Sequence, residues 1–273
     1  MGTALCAILV ILVILAILFI FKVCNNVNID TSNYNLYTKM GDYRIGDIFL
    51  YNHADWTNSI IKEHLEKYPD SLASAFILKN EYNSKHTIKN NYIKILFEIL
   101  QERYKNKVSD ICVCHLRVGD ILDDPFYRAK NGAIIMPNYI FPTKQQIPKE
   151  EYFNNLKEYV HDGIKVNNVY EKYMKPLSFY EEKIEKMKEL NINKVIIMAG
   201  SHKKLKEYTL SSYYINTIKK LFNDNGIKVV LRLAQHPDND IQLVYNSKYF
   251  IEGNGGYSKL LKQVVVKKGN TVI

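Results

Sequence analysis

Charge is missing from one stretch of this chain: between Ala4 and Phe21 there is no Asp, Glu, Lys or Arg, only Leu, Ile, Val, Ala, Phe and Cys6. About 20 such residues span a bilayer core as a helix. A signal peptide has a shorter apolar core, roughly 7–15 residues, followed by small residues at a cleavage site. Here Phe19, Phe21, Lys22 and Val23 follow instead. Residues 1–24 therefore read as a retained single-pass anchor, with the lipid bilayer as its partner through residues 4–21. Residues 25–40, rich in Asn and without periodicity, read as a stalk. The orientation stays open. No Lys or Arg precedes the segment while Lys22, Lys39 and Arg44 follow it, which favours a cytosolic carboxyl-terminal part. No Asn-x-Ser/Thr sequon marks luminal exposure either.

Cysteine is scarce, 4 in 273 residues, and this excludes a disulfide scaffold. Cys6 and Cys24 belong to the anchor region, while Cys112 and Cys114 alternate along an apolar run and share one strand face, poorly placed to bond each other. There is no Cys/His cluster of metal-binding spacing. Arginine is scarce too. The net charge of +9 comes mainly from lysines scattered among Asn and Glu, a solvated surface rather than a nucleic-acid footprint. A Walker lysine and a Gly-x-Gly-x-x-Gly turn are both absent, so ordinary P-loop and dinucleotide-binding readings fail.

What is present is alternation. His86–Tyr104 carries Ile88, Tyr92, Ile95, Leu96, Ile99 and Leu100 at helical spacing, and Trp56–Tyr68 is a second helix ended by Pro69. Ser71–Leu78 is apolar enough for either a buried helix or a strand. Ile111–Leu116 reads as a buried strand. Five prolines or glycines between Ile121 and Pro148 break the pattern in a long aromatic-bearing loop, either acceptor-facing or a surface excursion, and Lys149–Val160 reads as a helix. Gly163–Met174 reads as a connection between lobes. Ser178 is placed to cap a helix as a capping box with Glu181. From there strands (194–199, 227–233, 249–251, 271–273) alternate with helices (211–223, 238–245, 256–267), the pattern of a parallel sheet. The expected division is 41–175 for an amino-terminal, acceptor-side lobe and 176–273 for a Rossmann-like, nucleotide-sugar-binding lobe.

In a parallel sheet, ligands bind where strands reach their carboxyl edge. Three strand ends carry chemistry-bearing residues. His115-Leu116-Arg117-Val118-Gly119-Asp120 offers a planar guanidinium suited to phosphate, with Asp120 either orienting Arg117 or capping the next helix. The plain alternative is an Arg–Asp ion pair at a strand end. Gly200-Ser201-His202 is a small-residue turn that lets backbone amides approach a phosphate or ribose. His202 reads either as a ligand contact or as an exposed helix-start histidine. The third group is Asp240, then Asn254-Gly255-Gly256-Tyr257-Ser258, where a Gly-Gly turn opens a helix. It reads either as a phosphate cradle or as a tight strand-to-helix turn.

Together, His-x-Arg-x-Gly-Asp at 115–120 and the later Asp…Asn-Ser…Gly-Gly-Tyr-Ser run ending at Ser258 resemble the fucosyltransferase superfamily, which includes α-1,2- and α-1,6-fucosyltransferases and protein O-fucosyltransferases. The resemblance extends from about residue 109 to the end. It implies an α/β protein of GT-B-like architecture, two Rossmann-like lobes with parallel sheets, behind the membrane helix. It also implies inverting, metal-independent transfer of fucose from GDP-fucose to a glycan or protein hydroxyl, with no cofactor beyond the GDP-sugar. On this resemblance Arg117 contacts the diphosphate and stabilises the departing GDP. His115 and Gly119 line the donor pocket and Asp120 holds Arg117. Gly200, Ser201 and His202 flank the donor, and Asn254, Gly255, Gly256, Tyr257 and Ser258 take the phosphates. Asp240 lies near the nucleotide or acts as a structural cap, and Asp47 is the candidate base. The sequence departs from the family where Val118 replaces a second Arg and where Gly-Gly-Tyr-Ser replaces a Ser-Ser-Phe-Ser-like stretch. An inactive membrane-tethered module that binds a nucleotide or glycan is the alternative.

Overall fold

The computed structural model describes residues 34–38, 58–79, 92–104, 108–123, 160–161, 164–165 and 175–273. The expected anchor, most of the stalk, Asp47 and the aromatic-bearing loop from Asp124 onward lie outside the described residues. Among the described residues no helix is long and apolar enough to cross a membrane.

Before the first strand come α1 (Asn58–Lys67), α2 (Leu72–Lys79) and α3 (Tyr92–Arg103). The central part is β1 (Ser109–Arg117), the short α4 (Asp120–Asp123) and a two-stranded antiparallel ladder, β2 (Val160–His161) with β3 (Ile164–Lys165). Then follow α5 (Leu177–Glu189), β4 (Lys194–Gly200), α6 (Thr209–Asp224), β5 (Lys228–Leu233), α7 (Pro237–Asn246), β6 (Ser247–Ile251), α8 (Gly256–Lys268) and β7 (Thr271–Val272). Val160, expected as the last residue of a helix, pairs with Lys165 instead.

Five parallel strands form one sheet in the order β5-β4-β1-β6-β7. β1 is its centre. Cys112, Val113, Cys114 and Leu116 are at most 1% exposed, as a strand covered on both faces requires. Cys112, Cys114 and Leu116 pack with Tyr180 and Ile184 of α5 and Ile218 and Phe222 of α6. Val113 packs on the other face with α2, α3, α7 and α8, through Phe76, Leu96, Ile241 and Leu261. Burial pushes the Cys112 thiol up to about 12 and holds Cys114 well above the usual thiol range, so both are inert apolar packing.

This sheet corrects the expected boundary between residues 175 and 176. β1 pairs with β4 on one side (Cys112 opposite Val195) and β6 on the other (Cys112 opposite Tyr249). A cut at 175 would sever the central strand from both its neighbours.

Local features explain the helices. Ser71 settles the ambiguous 71–78 stretch as a helix, because its hydroxyl accepts the Ser74 N–H at 3.0 Å, an N-cap bond. Asp238 of α7 adds a second cap, accepting the Leu72 N–H at 2.9 Å. The expected capping box at Ser178 does not form. α5 starts at Leu177 after the extended Pro176, without a side-chain cap. At the carboxyl ends of α6 and α8 the chain reverses through Gly226 and Gly269, at φ +79° and +80°, a region that favours glycine.

Candidate functional site

The order β5-β4-β1-β6-β7 contains a reversal. From β1 the chain builds outward through β4 and β5, then returns to the far side of β1 for β6 and β7. Loops leaving the carboxyl ends of β1 and β6 diverge to opposite faces, and such a switch point is where open α/β sheets bind ligands. His115 and Arg117 end β1, while Gly253 to Ser258 lead from β6 into α8, so the first and third sequence motifs meet here.

Close approach holds the two strand ends together. A Cβ added at Gly253 would stand 2.3 Å from the His115 carbonyl oxygen and 3.0 Å from its Nδ1, so only glycine fits. The His115 ring meets Tyr257 edge-to-face with centroids 5.6 Å apart, and the Tyr257 hydroxyl donates to the Pro237 carbonyl at 2.8 Å. Burial first, then the Arg117 charge, lowers His115 to about 3, so its imidazole is neutral in the folded protein. Its buried Nδ1 has no hydrogen-bond partner among the described residues.

α8 opens on a glycine cap. Its N-cap, Gly255, sits at φ 90°, ψ 169°, and offers no oxygen to the first amides. Ser258, in that first turn, is fully buried, and its Oγ lacks a partner among the described residues. The positive end of a 13-residue helix, beside a buried hydroxyl that lacks a partner among the described residues, suits an anion.

Arg117 supplies formal charge. Its Nη2 lies 2.7 Å from Asp120 Oδ1 and 3.0 Å from Oδ2, and its Nη1 donates to its own residue's neighbour, the Val118 carbonyl. Of the two roles open to Asp120, orienting Arg117 is the one the geometry supports. The carboxylate is fully buried and the guanidinium about one-sixth exposed, 15%, leaving donors on its outer edge for a ligand.

The second strand end joins from β4. Gly119 (φ +81°) packs so closely on Ser201 that an added Cβ would be 2.4 Å from the serine Cβ. Ser201 Oγ is engaged within its own turn by Lys203. Gly200 packs against Thr38, and a short parallel bridge links Tyr37 to Ser201. His202 lies in the loop, seven residues before α6 starts at Thr209, so it is no helix-start residue. Its Nε2 is 3.7 Å from Asp120 Oδ2.

Asp240 is engaged by Arg232, its Oδ1 accepting from Arg232 Nε at 2.8 Å. Asn254 is half-buried in the β6–α8 turn, and Asp47 is outside the described residues. Sequence reading missed Gly253 and the pair Asp123–Ser211. The glycine-rich run from Gly253 to Gly256 was the available signal for the first. The others act across the fold and leave no local pattern.

Asp240 yields a pH prediction. Burial outweighs Arg232 and raises its carboxyl from 3.8 to about 6. A raised folded value means that stability is fully present below about pH 4 and is lost as pH rises through 6. Relative to Asp240→Asn, the wild type is expected to lose about 2–3 kcal/mol between pH 4 and 7 in urea unfolding, at 1.36 kcal/mol per unit. A gap that stays constant with pH refutes this assignment.

No protein-family model matches the chain, and no curated protein matches it. Among solved structures, the crystal structure of POFUT1 in complex with GDP is similar over 77% of this chain and 57% of that one, at 12% identity and a TM-score of 0.34. A crystal structure of POFUT1 in complex with GDP-fucose is similar over 74% of this chain and 54% of that one, at 13% identity and a TM-score of 0.34. The chain thus spans little more than half the length of these structures.

Proposed function

We propose that the chain is a membrane-anchored glycosyltransferase of GT-B-like architecture that moves fucose from GDP-fucose to a hydroxyl of a glycan or protein, with inversion and without a metal ion. One observation carries the reading: at the switch point of the sheet, Arg117, held by the buried Asp120, and the amino terminus of α8 present positive charge from the two adjoining strand ends. A nucleoside diphosphate matches that arrangement, because its oxygens can use a guanidinium and backbone amides together. In the transfer step the bond between the sugar's anomeric carbon and the β-phosphate oxygen breaks. Negative charge then grows on GDP, and a fixed cation there stabilises the transition state more than the ground state. The acceptor hydroxyl attacks from the opposite face and gives its proton to a base, for which Asp47 is the candidate. Anchoring through residues 4–21 rests on the uncharged run alone.

A second reading, a binding module without turnover, has its own support. Asp120, Asp123 and Asp240 are all engaged, by Arg117, Ser211 and Arg232. None is free to serve as a base.

The deciding measurement is thermal unfolding of the detergent-solubilised full chain with GDP, UDP, CMP and their sugars. Saturation at about 100 times Kd adds about 2.7 kcal/mol, a rise of about 5–10 °C in Tm. A response specific to GDP compounds supports the reading, and sugar release from GDP-fucose separates enzyme from module. Preference for UDP overturns the fucose assignment, and silence toward every nucleotide overturns the donor site.

A further inference from the structure

Resting on the reading of Arg117 as an anion-binding group, we infer that Ser211, in the first turn of α6, is a positioning residue that aims the Arg117 guanidinium through the Val118–Gly119 peptide. A trans peptide holds its carbonyl and its N–H on opposite sides of one rigid plane. The Val118 carbonyl accepts from Arg117 Nη1, and the N–H of the same peptide, on Gly119, donates to Ser211 Oγ at 2.8 Å. The hydroxyl on one side of the plane therefore fixes where the acceptor on the other side points.

Ser211 is itself fixed. It is fully buried, its hydroxyl donates to Asp123 Oδ2, and its backbone N–H donates to the same oxygen at 3.1 Å. With its proton committed to Asp123, Oγ faces Gly119 with lone pairs only. α6 has no side-chain cap from Tyr208, so Asp123 also satisfies one of its first-turn amides. The Gly119 carbonyl in turn accepts from Leu122 and Asp123, both at 2.9 Å. Both polar groups of Gly119 are thus tied to α4 and α6.

The tie matters because the peptide precedes a glycine. Gly119 takes φ +81°, yet glycine adopts either sign of φ with similar ease, so the plane can turn over with little steric resistance. Without Ser211 Oγ, a flip that carries the Val118 carbonyl away from Arg117 loses its main opponent. Asp120 then holds the guanidinium from one side only.

The test reads Arg117 in the ligand-free full chain by 15N NMR of its guanidinium, comparing wild type with Ser211→Ala. Restrained rotation gives separate Nη signals in the wild type. Ser211→Ala is expected to merge or broaden them and to weaken GDP binding about tenfold. Ile218→Val, which loosens α6 in the core without touching Gly119, serves as the structural control and is expected to leave the Arg117 signals unchanged. Unaltered Arg117 signals in Ser211→Ala overturn the inference, as does an equal change in Ile218→Val. Altered signals in a protein that binds no nucleotide support the positioning role and overturn the donor-site reading instead.

Discussion

Arg117→Ala is expected to abolish both the GDP-dependent rise in Tm and sugar transfer, while lowering stability by about 3 kcal/mol. The stability loss follows from Asp120. That carboxylate is fully buried and Arg117 Nη2 contacts both its oxygens, so alanine strands a buried charge, which costs about 3–5 kcal/mol when one partner of a buried pair is removed. The low end of that range fits a guanidinium still 15% exposed. Fold and function are separated by the double variant Arg117→Ala/Asp120→Asn. With the stranded charge gone, most of the stability should return, yet GDP binding should not. Urea unfolding and nucleotide-dependent thermal shifts on the three proteins check this directly. A double variant that still responds to GDP like wild type would remove Arg117 from the site. Arg117→Lys should fall between, since an ammonium neutralises Asp120 but lacks the fork that can hold Asp120, the Val118 carbonyl and a phosphate at once.

Gly253→Ala carries the second large expected effect. Its added methyl group would stand 2.3 Å from the His115 carbonyl oxygen, a backbone atom of the central strand, so neither side can yield by a rotamer change. The end of β6 and the start of α8 must move away from β1, at a cost of about 2–4 kcal/mol. Because the shift opens the switch point itself, the folded fraction should also lose its response to GDP. Gly226→Ala is the comparison. That glycine has φ +79° but nothing within 4 Å of an added Cβ, so it reports only the left-handed backbone penalty of about 1–2 kcal/mol and should leave nucleotide binding intact. Equal losses in the two variants would show that close approach at Gly253 is unimportant.

Much of the sheet was legible in the sequence, and for physical reasons. β1 and β4 are buried on both faces and so read as continuous apolar runs, Ile111–Leu116 and Val195–Met198. Gly226 and Gly269 stand where helices end in the left-handed region, which few other residues enter easily. Arg117 with Asp120 was legible because a buried strand seldom ends on a cation and an acid three residues apart. Strand order was not legible. Nothing in the pattern of residues 109–117 says that its neighbours are β4 and β6, so a boundary drawn at 175 placed β1 in another lobe. Capping was misread where it is tertiary. Asp238 serves α2 and Asp123 serves α6 from distant parts of the chain, whereas the local Ser178–Glu181 pattern is unused because Pro176 starts α5 earlier. His115 looked like a pocket residue, but its neutrality comes from burial under Tyr257 and from Arg117, neither of which a spacing rule conveys.

The place of β1 also bears on how the molecule is made. The innermost strand is the first of its sheet to leave the ribosome, and the residues that pair with Cys112, namely Val195 and Tyr249, are synthesised much later. At about 5–20 residues per second, several seconds pass before either neighbour exists. Throughout that interval an apolar segment with two unpaired edges is in solution, the kind of segment that associates with other chains. Such long-range parallel pairing also slows folding after release, because loop closure must precede any gain from the contacts. The strand end that carries Arg117 is thus assembled only when the last third of the chain has arrived, and a truncated or stalled product presents this segment unprotected.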